Sequence, residues 1–457
     1  MVTLYDVARR AGVSIATVSR VLHGQDPVRD STRARVRAAI DELGYVPDGA
    51  AQSLARNRKE VIGLVCVEHT GLKPDQYDVE SMSLLFYDEV MRGVEARIRE
   101  RSWSLLITFL REDETKGTTL AQDEPVKTRM LKLSGKVDGL LIGEGVVAPS
   151  TIALLARRLP VVVVAGETAM RGADVVSADN WSGAHALVTH LIDEHGRRRL
   201  FHVDGPASAP DAMARKLAME SVIEAHPGTV LTGSFTGRFT VHSGGEAAEW
   251  LLADAEAAVG TPAAAALTSV LPDAIICAND QMAIGVLRTL TAHGIRVPQD
   301  IAVVGFDDIF PASLCDPPLT TVHQAMRYIG ERACDRLIER IGDPSLRPRV
   351  EVLPTELVLR SSCGCPPGTV ARRQVTPVPR RQATPSKANS KRHVSPGSSS
   401  LSPGSALSAP QPALPPLTAG TPALSPGSSS LSPGSPLSPT QPALPPTLPG
   451  FLPTSER

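Results

Sequence analysis

The chain has 457 residues, of which 42% are hydrophobic and 4% aromatic, and its formal net charge is −1 at pH 7. This length exceeds that of one ordinary domain, so two or three folded units are expected. The sequence has no apolar run long enough for a transmembrane helix and no signal segment, so neither membrane insertion nor secretion is expected. The six cysteines are scattered, as is typical of proteins in a reducing cytoplasm.

The charges are distributed unevenly. Residues 1–60 hold ten Lys+Arg and seven Asp+Glu, residues 61–365 hold 29 and 40, and residues 366–457 hold eight and one. A modestly basic start before an acidic middle places DNA affinity at the N-terminus. Because the basic excess is small, one copy is expected to bind DNA weakly and with strong salt dependence. A dimer would double the phosphate contacts.

The first predicted elements are two short helices joined by a tight turn. Thr3 and Asp6 form a capping box for the first helix, which Gly12 ends. Ser14 caps the second helix, and Gly24 ends it. Such a pair is a helix-turn-helix, whose second helix enters the DNA major groove. A helical hairpin in an unrelated core is the alternative interpretation.

A third helix is predicted from a Ser31 cap to Gly44, and further motifs follow it in a fixed order. YDVARRAGVS, TVSRVLHG, ELGYVP, AQSLARNR and VIGLV are followed by ICANDQMAIGVLRTL, VPQDIAVVGFDD and PPLTTVHQ. Over about residues 1–365 this order resembles the lactose repressor (LacI/GalR) family of bacterial transcription regulators. The resemblance implies a repressor that binds palindromic double-stranded operator DNA as a homodimer or larger assembly. It also implies a bilobal sensor like the periplasmic binding proteins.

The start of the second helix is the predicted base-reading surface. The resemblance implies that Ile15, Ala16 and Arg20 read bases, while Thr17 and Ser19 hold phosphates. Only Arg20 can donate two hydrogen bonds to guanine, which is worth about 1–3 kcal/mol of discrimination. A surface ion pair is the alternative for this arginine. The predicted DNA contacts are Thr3, Ser14, Ile15, Ala16, Thr17, Ser19, Arg20 and Leu54.

Leu54 lies in a second DNA-binding segment. Residues 49–56, GAAQSLAR, are rich in small residues and too few to form a stable helix alone. The resemblance implies that this hinge folds on operator DNA and inserts Leu54 into the minor groove, where an apolar wedge unstacks one step. Packing of Leu54 on the sensor is the alternative.

Residues 61–365 alternate strand and helix patterns. The strands VIGLVCV, SLLITFL, VDGLLIG, PVVVVAG, RLFHVDG, DAIICAND, IAVVGFDD and ELVLR are separated by amphipathic stretches such as WSGAHALVTHLIDEHG. This order predicts an α/β fold of two doubly wound parallel-sheet lobes with a cleft at the carboxyl ends of the strands. The resemblance implies that the chain crosses between the lobes near residues 161–179 and 307–321.

The cleft is the predicted site of a small effector. The predicted ligand contacts are Phe86, Tyr87, Trp181, Arg215, Lys216, Asn279, Asp280, Phe306 and Asp307. Carboxylates accept hydrogen bonds from sugar hydroxyls, and aromatic rings can stack on sugars, although each aromatic is as compatible with the core. Three departures from the family pattern leave the ligand open. Ala165-Gly166 stands after PVVVV, where the family often carries an acidic residue, and either Arg215 or Lys216 takes the place of an arginine that the family usually carries. The segment 68–83 is also longer than the usual loop. A saccharide is the first candidate, and a nucleoside or another metabolite the next.

Composition changes after Cys365. The repeat SPGSSSLSPGSALSAPQPALPP at Ser395 recurs almost unchanged at Ser425, which is typical of disorder. The predicted domains are therefore residues 1–47 (head), 48–60 (hinge helix and linker), 61–365 (sensor and dimerisation) and 366–457 (disordered tail). A basic cluster in the tail is either a nonspecific DNA contact or solvated without a role: Arg372, Arg373, Arg380, Arg381, Lys387, Lys391 and Arg392.

Cys363-Gly364-Cys365 admits a metal or redox pair, but a CxC without further nearby ligands is a weak signal, and an incidental or structural role is favoured. The scattered histidines, including His190 and His195, are assigned to helix surface or core. With no G-x-S-x-G elbow and no Walker loop, no enzyme activity, metal or cofactor is expected. The expected protein is a cytoplasmic, nucleoid-associated regulator. The alternatives are a regulator without a small-molecule effector and a solute-binding protein.

Overall fold

The computed structural model describes residues 2–22, 24, 27–46, 58–68, 85–111, 120–167, 169–260, 267–380 and 393–394. The predicted hinge, including Leu54, lies outside these residues except for its last three positions. None of the helices in the described part of the chain has the length and apolar character needed to cross a bilayer.

The head consists of three helices, α1 (Leu4–Ala11), α2 (Ile15–Leu22) and α3 (Asp30–Leu43). The predicted capping box is confirmed, because the Asp6 backbone N–H donates to Thr3 Oγ1 and the Thr3 N–H donates to the Asp6 carboxylate. Val7, Val18 and Val36, one from each helix, are fully buried in a shared core. This core fixes how α2 is presented.

The predicted cap of α3 is wrong. The helix begins at Asp30, so Ser31 lies inside it, and the N-cap residue Arg29 makes no side-chain capping bond. Asp30 instead puts a negative charge in the first turn, where it interacts favourably with the helix dipole. The predicted end is correct, since Gly44 adopts a left-handed conformation with φ 59°.

The sensor follows with β1 (Val61–Glu68), α4 (Leu85–Arg99), β2 (Ser104–Arg111), α5 (Leu120–Ser134), β3 (Gly139–Gly143), α6 (Pro149–Leu155), β4 (Val161–Val164), β5 (Asp174–Ala178), α7 (Asn180–Asp193), β6 (Arg199–Asp204), α8 (Pro210–Ala225), β7 (Val230–Thr236), α9 (Val241–Val259), β8 (Ala274–Cys277), α10 (Asp280–Ala292), β9 (Ala302–Val304), β10 (Thr321–Gln324), α11 (Met326–Gly342), β11 (Val350–Leu353), β12 (Thr355–Leu359), β13 (Ala371–Gln374) and β14 (His393–Val394). All eight strands predicted from apolar runs are present.

These strands form two parallel sheets, one in each lobe. The first has the order β11-β5-β4-β3-β1-β2 and the second the order β14-β7-β6-β8-β9. The fully buried β3, β4 and β8 show why their sequences are continuously apolar. A third, antiparallel sheet of β10, β12 and β13 stands beside the second lobe. The predicted α/β architecture is confirmed.

The chain crosses between the lobes three times. The first crossing, between β5 and α7, lies at the end of the predicted range. The second, between β10 and α11, comes slightly later than predicted, because β10 still pairs with β12 beside the second lobe. The third, between β11 and β12, was not predicted. Parallel strand ends from both lobes therefore face each other across a cleft.

The prediction of disorder from residue 366 is wrong for residues 366–380. β13 adds to the edge of β12, and Val375 and Val378 pack against the core of the second lobe. The Val378 N–H donates to Ser182 Oγ at 2.9 Å. An open sheet edge and two apolar side chains thus anchor a segment whose composition alone resembled a linker. The Ser/Pro repeat lies outside the described residues.

Three arginines of the predicted basic cluster, Arg372, Arg373 and Arg380, belong to this anchored segment, and two of them form ion pairs with the sensor. Arg372 bonds Asp308 at 2.8 Å and Glu356 at 3.3 Å, and Arg380 bonds Glu167. These ion pairs of Arg372 and Arg380 attach the segment to the acidic sensor. The cluster's members from Arg381 onward lie outside the described residues.

Candidate functional site

Helix α2 and its cap Ser14 hold most of the predicted DNA-reading side chains. Ser14 caps the helix, with its Oγ accepting from the Thr17 N–H at 3.2 Å and lying 2.9 Å from Thr17 Oγ1. Ala16 and Arg20 are exposed, while Ile15, Thr17 and Ser19 are half-buried. Within the described residues Arg20 forms no ion pair.

A cavity opens between the lobes at the carboxyl ends of the parallel strands. Side chains from both sheets and from β10 line it: Val67, Phe86, Tyr87, Glu144, Val146, Ala165, Pro206, Ser208, Ala209, Asp211, Arg215, Phe239, Asn279, Gln281, Asp307 and Gln324. This is where open α/β sheets bind ligands. The lining combines aromatic rings, carboxylates, amides and one guanidinium, so it offers apolar faces and polar groups of both hydrogen-bonding types.

The structure brings five of the predicted ligand contacts together on this cavity: Phe86, Tyr87, Arg215, Asn279 and Asp307. The first two enter from α4 of the first lobe, with their rings 5.3 Å apart and nearly perpendicular. The others enter from the second lobe. The cavity thus has an aromatic wall and a polar wall.

Arg215 is the central cation of the polar wall. It is 5% exposed, its Nε donates to Asn180 Oδ1 at 2.9 Å, and its guanidinium lies 3.9 Å from the centre of the Phe306 ring. Asp211 Oδ2 is 3.3 Å away and Asp307 Oδ1 3.7 Å away. The ambiguity between Arg215 and its neighbour is thereby resolved, because only the arginine faces the cavity.

Lys216 and Trp181 are corrected, since neither lines the cavity. Lys216 points along the other side of α8, where its Nζ donates to Asp204 at 2.7 Å. Trp181 lies at the start of α7 and is 6% exposed in the apolar core of the second lobe. Helix geometry separates adjacent residues by roughly 100°, so only one of the Arg215/Lys216 pair can face the ligand.

Asp280 and Phe306 also lie behind the lining rather than on it. The Asp280 carboxylate is fully buried and accepts from Thr321 Oγ1 at 2.5 Å and the Ile309 N–H at 3.0 Å. Phe306 is 1% exposed beneath the Arg215 guanidinium. Burial and then the Asp307 charge raise the pKa of Asp280 well above its ordinary value. Both residues support the lining.

Sequence reasoning missed Glu144, Asp211, Phe239, Gln281 and Gln324. Glu144 directly follows the strand VDGLLIG, so its position at a strand's carboxyl end was a usable signal. Its carboxylate accepts from the Glu167 N–H at 2.6 Å. Burial raises the pKa of Glu144 to about 7, against the effect of this hydrogen bond. Glu144 thus supplies a carboxylate to the cavity, whereas Ala165, where the family pattern has an acid, supplies none.

Backbone strain concentrates at the cavity. Ala165, Phe239 and Asp307 adopt positive φ angles of 62°, 61° and 120°. Non-glycine residues rarely adopt this region, and each costs about 1–3 kcal/mol. Three of the six such residues among the described positions line one cavity. Such clustering is typical of ligand sites, where the surroundings hold a strained backbone in place.

The Cys363-Gly364-Cys365 pattern lies elsewhere, at the far end of α7. There His190 contacts both sulfurs, and His195 contacts that of Cys365. The assignment of these two histidines to helix surface or core did not foresee this contact, although His190 is buried and His195 is half-buried. The sequence did not predict this cluster, because about 170 positions separate the histidines from the cysteines.

Comparisons with known proteins agree with this arrangement. The family model described as "Bacterial regulatory proteins, lacI family" matches residues 3–48, and that of a "Periplasmic binding protein-like domain" matches residues 188–363. The ribose operon repressor of Escherichia coli (strain K12) is 32% identical over 358 residues, covering 78% of this chain and 98% of the relative.

Solved structures give the same result. A lac repressor dimer bound to operator and the anti-inducer ONPF matches with a TM-score of 0.65 and 26% identity, covering 79% of this chain and 99% of that one. A complex of the transcriptional regulator CelR with cellobiose matches with a TM-score of 0.53 and 29% identity, covering 79% and 100%. The chain therefore belongs to the lacI family of bacterial regulatory proteins, as a DNA-binding transcription regulator with a periplasmic-binding-protein-like sensor.

Proposed function

We propose that the chain is a repressor whose affinity for a palindromic operator is set by a saccharide in the interlobe cavity. The observation that carries this is the lining itself, in which, among the described residues, three carboxylates, three amides and Arg215 share the cavity with the aromatic pair Phe86 and Tyr87. Sugar hydroxyls donate to carboxylates and accept from a guanidinium, and the apolar ring face packs on aromatics. Relatives that bear the names of ribose and cellobiose support this ligand class.

The same proposal covers assembly and mechanism. Two copies of the head, held by a sensor homodimer, would bind the two halves of a palindrome. A ligand that binds one relative orientation of the lobes more tightly shifts the population toward it, and thereby changes operator affinity. We place the protein in the cytoplasm, on the nucleoid, where operator DNA is found.

The direct test has two steps. In-vitro selection with the full chain identifies the operator, and calorimetry then screens pentoses, hexoses, disaccharides and nucleosides. We expect one saccharide class to bind and to change operator affinity. Nucleoside binding alone would contradict the saccharide assignment. Binding of no panel member, with operator affinity unaffected, would favour a regulator controlled without a small molecule.

Arg20 is expected to carry much of the direct base readout. Replacing it with alanine should reduce discrimination at one base pair per half-site by about 1–3 kcal/mol, because a bidentate contact to guanine is lost. Competition binding with single-base operator variants measures this. Arg37→Ala is the matched control, since Arg37 is exposed on α3 rather than α2. Equal loss of affinity for operator and random DNA in the Arg20 variant would disprove base reading.

Ligand binding is expected to strengthen as pH rises through about 7. Burial raises the pKa of both Glu144 and Asp307 to about 7, opposed at Asp307 by Arg215 and reinforced at both by Asp211. Their ionised forms accept hydroxyl hydrogen bonds, so ligand binding releases protons. Calorimetry from about pH 5.5 to 8 in buffers of different ionisation enthalpy measures this.

The folding stability of the ligand-free protein should change with pH in the opposite direction, falling as pH rises. Acids whose pKa is raised by folding contribute stability that is present below their ordinary pKa and is lost as pH rises through about 7. Glu144→Gln should therefore weaken both the pH dependence of ligand binding and the pH dependence of folding stability. Tighter ligand binding at acid pH would show that the protonated carboxyls donate to the ligand instead.

A further inference from the structure

A cluster of four potential metal ligands lies outside both functional sites. His190 is in the last turn of α7, and His195 follows two residues beyond its end. Cys363 ends a short 3-10 helix (Ser361–Cys363) after β12, and Cys365 follows two residues later. One ligand atom from each residue lies within 4.8 Å of all the others. The cluster joins two segments that are distant in sequence.

The distances fit one ion. The two Nε2 atoms are 3.1 Å apart, His190 Nε2 lies 3.5 Å from Cys363 Sγ and 3.7 Å from Cys365 Sγ, and His195 Nε2 lies 3.5 Å from Cys365 Sγ. A tetrahedral Zn²⁺ with Zn–N bonds of about 2.0–2.1 Å and Zn–S bonds of about 2.3 Å separates two nitrogens by about 3.3 Å and nitrogen from sulfur by about 3.5 Å. The two Nε2 and two Sγ atoms are thus already spaced for coordination of one ion.

The local backbone and burial favour a built site. Gly364 has φ 119°, and a Cβ there would lie 3.1 Å from His195 Nδ1, so this glycine lets both cysteines approach the rings. Cys363 is fully buried and His190 is 6% exposed, while the other two ligands are half-buried. Such a position shields an ion from bulk water but leaves a path of entry on one side.

The surroundings also suit a thiolate. Thr320 Oγ1 lies 3.2 Å from Cys363 Sγ and can donate to it. The Nδ1 atom of His190 is buried without a hydrogen-bond partner among the described residues, so Nε2 is the only ring nitrogen that meets polar atoms. Two thiolates and two neutral imidazoles around Zn²⁺ sum to zero charge. A neutral centre avoids the cost of burying a net charge.

We propose that His190, His195, Cys363 and Cys365 bind a structural Zn²⁺ ion in a Cys₂His₂ site. Binding displaces the two thiol protons and forms two Zn–S and two Zn–N bonds. Four protein ligands fill the tetrahedron, which is the arrangement of structural rather than catalytic zinc. The ion ties the end of α7 to the segment after β12, directly before β13 and the anchored residues 366–380. This proposal is independent of the effector.

The test begins with the metal content of the full chain, purified without chelators from zinc-containing medium. We expect about one zinc per chain that survives dialysis. Replacing zinc with Co²⁺ should give the intense visible bands of tetrahedral cobalt and a thiolate-to-cobalt charge-transfer band. Chelation should lower the thermal unfolding midpoint.

Variants assign the ligands. Cys363→Ser with Cys365→Ser, and separately the milder His195→Asn, should lose the zinc and the chelator-dependent shift. Cys315→Ser and His185→Asn are matched controls, since Cys315 lies outside the cluster and His185 lies on α7 without joining it. Zinc-free protein without cobalt bands, or zinc retained equally by ligand and control variants, would overturn the proposal. A Cys363–Cys365 disulfide in protein purified under reducing conditions would also overturn it.

Discussion

Replacing Asp174 with alanine is expected to lower the free energy of unfolding by about 3–5 kcal/mol. The Asp174 carboxylate is completely buried at the start of β5. It accepts from Arg336 Nε at 2.6 Å, from Arg340 Nη1 at 2.7 Å and from the Arg349 N–H at 2.9 Å. Removing it leaves two buried guanidinium groups of α11 without their shared anion, which costs far more than the loss of a surface pair.

Urea unfolding of the full chain, followed by circular dichroism, measures this loss. Glu95→Ala is the matched control, because its i,i+4 pair with Arg99 is exposed on α4. We expect that control to change the unfolding midpoint little. Asp174→Asn keeps the shape and one acceptor oxygen, so it should fall between the two. If Asp174→Ala were no worse than the control, the buried network would not hold α11 against the first sheet.

The head was predictable because its signals are local. The capping box of Thr3 and Asp6, and the left-handed glycines 12 and 44, each depend on residues only a few positions apart. The buried strands were predictable for a similar reason, since a parallel strand covered on both faces must be apolar throughout. β3 and β4 show this pattern. In the head, the predicted cap at Ser31 was wrong, because the helix begins one position earlier, at the acidic residue Asp30.

The sites were less predictable because they depend on convergence in space. Asp280 and Asp307 are both near strand ends, yet only Asp307 reaches the cavity, since Thr321 and a backbone N–H hold Asp280 behind it. His190 in α7 and His195 just beyond its end meet the cysteines only because β12 packs beside α7. Composition likewise could not show that a free edge of β12 recruits β13.

The departure from the family pattern at Ala165 does not leave this part of the cavity without an acid. A residue with no polar group stands at the end of β4, and Glu144 at the end of the neighbouring β3 supplies a carboxylate to the same cavity. Adjacent parallel strands end side by side, so side chains that follow either strand lie close to the same cavity. Matching single positions along a sequence does not show that two strand ends share one cavity.

Arg215→Ala is expected to weaken effector binding at least about 30-fold while operator binding without effector changes little. The physical reason lies in the polar wall, where Arg215 faces Asp211 and Asp307 and donates to Asn180. Its loss removes the one cation that the described residues contribute to the lining, and with it the positive charge beside the buried Asp307. Calorimetry with the identified effector, together with operator binding at saturating effector, measures both effects.

Lys216→Ala is the matched control, because the adjacent lysine pairs with Asp204 away from the cavity and should leave effector affinity unchanged. Arg215→Lys is the control for misfolding. It keeps the positive charge but loses the planar guanidinium fork, so it should retain weak effector binding. If the Arg215 and Lys216 variants bound the effector with equal affinity, the ligand would have to lie in another part of the cleft. Loss of operator binding in Arg215→Ala but not in Arg215→Lys would instead mean that this arginine couples the lobes. Such coupling would run through the hydrogen bond from Arg215 on α8 to Asn180, which lies directly after the first crossing.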